Sequence, residues 1–186
     1  MDDSLHARGK VMEDLFFAEQ DRKLIDDLKK MMQDADPVGS LASASGISDT
    51  DVLESLSQAG ITAESLTSVS LIPLVSVAWA DQKMEPAEKE AILKGAAEAG
   101  IQQGSASFEL LSAWLTKQPG NNLLESWKEY IGELKGSLEP VAFNQLKVSV
   151  IGKAKSVAES AGGFLGLGTV SEAELSVIND LESAFE

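Results

Sequence analysis

The sequence predicts an all-α protein, a compact multi-helix bundle preceded by a long N-terminal helix. Three observations carry that expectation. Apolar residues recur at helical spacing from end to end. Polar start signals precede several of the apolar runs, at positions where a side chain can cap a helix. Hairpin signals such as Asn-Gly, with alternating strands on either side, are absent.

The first element runs from Leu5 to Met32, with apolar clusters Met12, Leu15, Phe16, Phe17 and Leu24, Ile25, Leu28, Met31, Met32 around a polar waist. Asp36-Pro37 reads as its stop, because the residue before proline is biased away from helix. Residues 1–36 therefore form a charged helical arm, 37–45 a linker of small residues and 46–186 the bundle. Ser48 is the expected N-cap of the next helix, which Gly60 closes. Ile61-Thr62 opens another. The run from Leu71 to Ala80 is apolar nearly all round and marks a buried helix. Pro73 suits a first turn, which predicts a helix break near Ser70.

Pro86 likewise reads as the first position of a helix that stops at Gly100. Phe108, Leu111, Trp114 and Leu115 form one face of a further helix, ended before Pro119-Gly120. Leu123, Leu124, Trp127, Tyr130, Ile131, Leu134 and Leu138 follow at amphipathic spacing, and Pro140 to Ala161 gives another helix. Ser171-Glu172-Ala173-Glu174 is a capping box for the last helix, which runs to about Phe185.

Composition excludes several chemistries. The chain of 186 residues has a net charge of −15 and no cysteine. No Lys or Arg occurs between Lys30 and Lys83, and none follows Lys155. Such a surface repels phosphate backbones, so nucleic acid is not an expected partner. Without cysteine there is no disulfide, no thiolate nucleophile and no thiolate zinc site. The longest nearly unbroken apolar run, Val69 to Ala80, is far short of the ~20 residues a membrane helix needs. No membrane insertion is expected, and a cytoplasmic location is the default reading. Cations, or a protein partner with a basic surface, are the electrostatically favoured ligands.

The motifs divide into those with a structural reading and one with a chemical one. His6, the single histidine, lies near the N-terminus and reads as a surface residue, since a catalytic histidine needs a fixed partner and orientation. The glycine-rich stretch from Gly162 to Gly168 lacks the Lys-Ser/Thr of a phosphate loop and reads as a turn between helices. Trp79, Trp114, Trp127 and Tyr130 read as core anchors. Asp81, Glu85 and Glu88 gather three carboxylates within eight residues, on the turn between two helices. They are candidate oxygen ligands for a divalent cation, calcium or magnesium. Asp81 and Glu88 serve equally well as helix caps.

The run from Leu71 to Ile92, through Ala80-Asp81-Gln82 to Glu85 and Glu88, resembles the TerB-like domain of tellurite-resistance proteins. The family pattern is an apolar helix, Ala-Asp-Gly, a short spacer, an acidic residue and a helix carrying glutamate. Gln82 stands where the family has glycine. The stretch Gly168 to Glu174 resembles the matching element of the family's second half, with Leu167 at the position answering to Asp81. The likeness covers about residues 66–185 and implies an all-helical fold, no catalytic activity, a role in stress-response complexes and metal binding. The segment from Arg8 through Phe16-Phe17 to Leu28 resembles the first helix of small ATP-synthase inhibitor subunits.

Three expectations of function follow. The first is a non-enzymatic TerB-like interaction module, cation-dependent and stress-related. The second is a regulator that docks on a larger machine, such as an ATPase, through its N-terminal helix, with Phe16 and Phe17 as the partner contact. The third is a carboxylate- and metal-dependent hydrolase.

Overall fold

The computed structural model describes residues 5–12, 36–45, 47–84, 86–98, 101, 103–118, 122–164 and 170–186. Among them are nine helices and no strand, as the spacing predicts. Residues 5–12 form α1. The others are α2 (Pro37–Ser45), α3 (Thr50–Gln58), α4 (Ala63–Ala78), α5 (Pro86–Glu98), α6 (Ala106–Trp114), α7 (Asn122–Ser137), α8 (Pro140–Phe164) and α9 (Glu172–Ser183).

The central element is α4. Its residues Leu66, Val69, Leu71, Ile72 and Leu74 are all fully buried, and it packs against α2, α6, α7, α8 and α9. A helix surrounded in this way needs apolar residues on every side, which is why its sequence shows no single apolar stripe. The break expected near Ser70 does not occur: α4 is continuous and Pro73 lies inside it. Proline has no N–H to give the carbonyl four residues back, here that of Val69. The indole Nε1–H of Trp127 on α7 donates to that carbonyl instead, at 3.0 Å. Tertiary packing thus satisfies the group that proline leaves open. Trp127 is fully buried and meets Phe185 edge-on, with ring centroids 5.7 Å apart. Phe143 completes this aromatic corner, 5.4 Å from Phe185.

The caps explain most helix boundaries. Thr62 caps α4 and Ser105 caps α6. The start of α3 is capped by Asp49 rather than by Ser48, since the Asp49 carboxylate accepts from the N–H groups of Asp51 and Val52. Gly60, at φ +75, closes α3, with Ile61 N–H on Leu56 O and Gly60 N–H on Ser57 O. That pair of bonds needs the left-handed backbone glycine adopts freely. At α9 both halves of the expected capping box are present: Ser171 Oγ accepts from Glu174 N–H, and Glu174 Oε2 accepts from Ser171 N–H at 2.7 Å. Ser171→Ala is expected to lower stability by about 1 kcal/mol. An unchanged urea midpoint would show that α9 does not need this cap.

Two expectations about the N-terminal third are corrected. Residues 37–45, read as a linker, form helix α2, with Leu41 buried against the core. Asp36-Pro37 is the start signal of α2, and the end of the first helix lies outside the described residues. Asp36 Oδ1 accepts from Gly39 N–H at 2.8 Å and Pro37 takes the first helical position, where its missing N–H leaves nothing unpaired. The second correction concerns α1. Leu5 and Met12, assigned to a separate arm, are buried in the same core as α4 and α7. Gly162, Gly163 and Phe164, read as part of a loop, end α8. None of the described helices is long and apolar enough to cross a membrane.

Candidate functional site

The acidic turn joins α4 to α5. Trp79 ends α4, and its indole N–H donates to Trp114 O at 3.0 Å, which ties the turn to the end of α6. Gln82 N–H then bonds to Trp79 O, and Gln82 adopts φ +63. This is the left-handed conformation that glycine adopts freely, and the tight turn forms here with a side chain in its place. Asp81 Oδ1 accepts from Lys83 N–H at 3.0 Å, a bond that shapes the turn from within. Met84 follows, half-buried against the core, and Pro86 opens α5 as expected.

A non-glycine residue at positive φ is strained by the approach of its Cβ to the backbone. Gln82→Gly is therefore expected to stabilise the protein by about 0.5–1 kcal/mol, net of the larger entropy glycine gives the unfolded chain. A lower urea midpoint for the variant would show that the turn holds Gln82 without strain.

Of the three candidate ligands, Asp81 is exposed at the turn. Glu85 and the side chain of Glu88 lie outside the described residues, as do Phe16 and Phe17. Among the described residues no three His, Asp or Glu side chains converge on one point. Asp81 alone is no donor set for calcium, which takes six to eight oxygens.

Two other constellations were not singled out from the sequence. The first is Lys153 on α8, only 7% exposed, with its ammonium donating to Ser149 Oγ at 2.7 Å one turn earlier. Burial pushes its pKa from 10.5 down to about 8. The signal was present: Leu146, Val150, Lys153 and Val157 fall at the spacing of one buried face. Ser149 sits inside a long helix, where neighbouring N–H groups are bonded to carbonyls a turn back. The helix itself therefore offers Ser149 no oxyanion donors, and the pair reads as a solvated end for a buried ammonium.

The second constellation is the seat of α1. Arg8 NH1 meets Glu129 Oε2 at 2.9 Å, and Arg8 Nε meets Glu133 Oε1 at 2.9 Å. These glutamates lie one turn apart on α7, and between them Tyr130 turns inward to the core. Gly9 is buried beneath Arg8, where an added Cβ would stand 3.2 Å from Tyr130 Cε2. His6 lies over the turn at Gly60.

Comparison with protein-family models, with curated proteins and with solved structures found no match.

Proposed function

We propose that this protein is a non-enzymatic interaction module of TerB-like type, which recognises a protein partner through a basic surface on that partner. The observation that carries the reading is the placement of charge on the folded bundle. Four cations of the described surface face the protein's own carboxylates. Arg8 pairs with Glu129 and Glu133, Lys128 with Glu125 and Asp180, Lys155 with Glu182, and Lys94 with Glu98. At Lys128 burial acts to lower the pKa, but the hydrogen bonds and charges of Asp180 and Glu125 outweigh it and raise the pKa. Lys153 is buried. The net charge of −15 is thus an excess of carboxylate around a helical scaffold. Such a field speeds and orients the approach of a cationic partner. The TerB-like resemblance supports the same reading, with a role in stress-response complexes.

The test is affinity capture from the host lysate with the full-length chain as bait. Proteins with a basic surface are expected to be retained at low salt and released as the screening length falls below about 10 Å. Retention that is indifferent to salt would overturn the electrostatic reading.

The cation dependence implied by the family is tested separately. Millimolar calcium or magnesium is expected to raise the melting temperature of the wild type but not of Asp81→Asn. A ligand at a hundred times its dissociation constant adds about 2.7 kcal/mol. Equal stabilisation by monovalent salt at matched ionic strength would remove the metal and leave Asp81 as a turn residue.

A further inference from the structure

We propose that the outward face of α8 is the docking surface of this module, and that it takes an amphipathic helix with basic flanks from a partner protein. This rests on the interaction-module reading above and deepens it by naming the face and the kind of partner.

Spacing sets the face. Val141, Gln145, Val148, Gly152, Lys155 and Glu159 follow one another at steps of four, three, four, three and four along α8, and all are exposed. Such alternation is that of a seam along which a second helix lies side by side. The opposite side of α8 is committed to the fold: Leu146, Val150, Ala154 and Val157 are buried there. Val141 and Val148, at 71% and 65% exposure, are the two most exposed large apolar side chains among the described residues. Leu175, also exposed, lies seven residues before Glu182 on α9, and Glu182 Oε1 meets Lys155 Nζ of the seam at 2.6 Å. That i, i+7 relation puts Leu175 on the flank of α9 that borders the seam.

The residue types on the seam point the same way. A helix position that faces water is best filled by Ala, Lys, Glu or Gln, and valine and glycine are poorer helix formers. At Gly152 an added Cβ would meet nothing within 4 Å, so no neighbour in the described fold requires glycine there. A covering helix accounts for all three residues, with the valines as its apolar contact and Gly152 as the point of closest approach.

Charge selects the occupant. Asp49 Oδ2 accepts from Gln145 Nε2 at 3.0 Å, which sets the start of α3, with exposed Asp51, beside the seam. Glu139 and Glu159 stand towards its two ends. The single cation of the seam, Lys155, is already paired with Glu182. A second copy of this chain would bring the same carboxylates and another net charge of −15 to the contact, which opposes self-association. A helix with lysines or arginines beside its apolar stripe matches both the valines and the carboxylates.

The experiment uses the full chain and a defined probe, a fluorescent amphipathic peptide of about three heptads with leucine along its seam and lysine on both flanks. The wild type is expected to bind it, and the double variant Val141→Glu, Val148→Glu to bind it at least about tenfold more weakly, by fluorescence anisotropy. Those substitutions add negative charge, so attraction by the acidic surface alone predicts the opposite, tighter binding. Gly152→Gln is expected to raise the urea midpoint, as a better helix former in open space, and to weaken peptide binding at least about threefold.

Equal or tighter binding by the double variant would overturn the proposal. So would a Gly152→Gln protein that is more stable and binds the peptide as the wild type does. A concentration-dependent dimer that Val148→Glu dissociates, without peptide uptake, would overturn it in favour of a second copy as occupant. Absence of binding to the wild type would overturn this face alone, because the lysate capture does not depend on which surface is used.

Discussion

Lys153→Met is expected to stabilise the protein near neutral pH by about 2 kcal/mol. At pH values below about 8 the lysine is charged in both the folded and the unfolded chain, and its burial opposes folding. The gap between 10.5 and about 8 sets the upper bound. At about 1.4 kcal/mol per pKa unit, that bound is about 3.5 kcal/mol. Loss of the bond to Ser149 trims the gain, and methionine fits the space of the lysine stem without a charge.

The sign of the pH dependence follows from linkage. Between about pH 8 and 10.5 the unfolded chain keeps the proton that the folded chain has released, so this residue's contribution to stability rises with pH. The advantage of the methionine variant is therefore expected to shrink across that window and to vanish above it. Groups that titrate in both proteins cancel in the comparison. Urea unfolding of the two proteins from neutral pH to above 10.5 measures it. An advantage that stays constant with pH would mean that Lys153 carries no buried charge.

Trp127→Phe is expected to cost about 2–4 kcal/mol, from a buried carbonyl left without a donor and from lost packing volume. The carbonyl is that of Val69, which Pro73 cannot serve. A second substitution separates the two causes. In a Pro73→Ala background the backbone N–H of residue 73 can bond to Val69 O, so Trp127→Phe is expected to cost about 1 kcal/mol less. Equal losses in both backgrounds would show that the indole contributes packing alone.

Much of the architecture was legible in the sequence because its causes are local. The capping box at Ser171 and Glu174 lies within four residues of chain, and so does the pairing of Gly60 with the end of α3. The amphipathic stripe of α7, from Leu123 to Leu138, requires no knowledge of its neighbour to be recognised. Asp36-Pro37 shows the limit of such reasoning. The pair is compatible with the end of one helix and the start of the next, and only the carboxylate's bond to Gly39 shows that it opens α2.

The candidate site divides in the same way. Asp81 was found from the sequence because a carboxylate on a short turn is visible in the chain itself. What the structure added is the use of that carboxylate, a bond to Lys83 N–H, together with the left-handed backbone of Gln82. Arg8 and its partners could not be read in advance. The Arg8–Glu129 pair joins residues 121 positions apart, and neither residue is distinguished from any other surface charge until the helices meet.

By itself, then, the sequence determined the all-helical class, the capping box of α9, the closure of α3 at Gly60, the buried character of α4 and the acidic surface. Each depends on spacing or composition along the chain. Tertiary structure alone decided that α4 runs unbroken through Pro73 and that α1 belongs to the core. Each of these depends on which distant group is present to accept or replace a hydrogen bond, to exclude water or to face a charge. Such partners are brought together by folding and leave no periodic mark in the sequence.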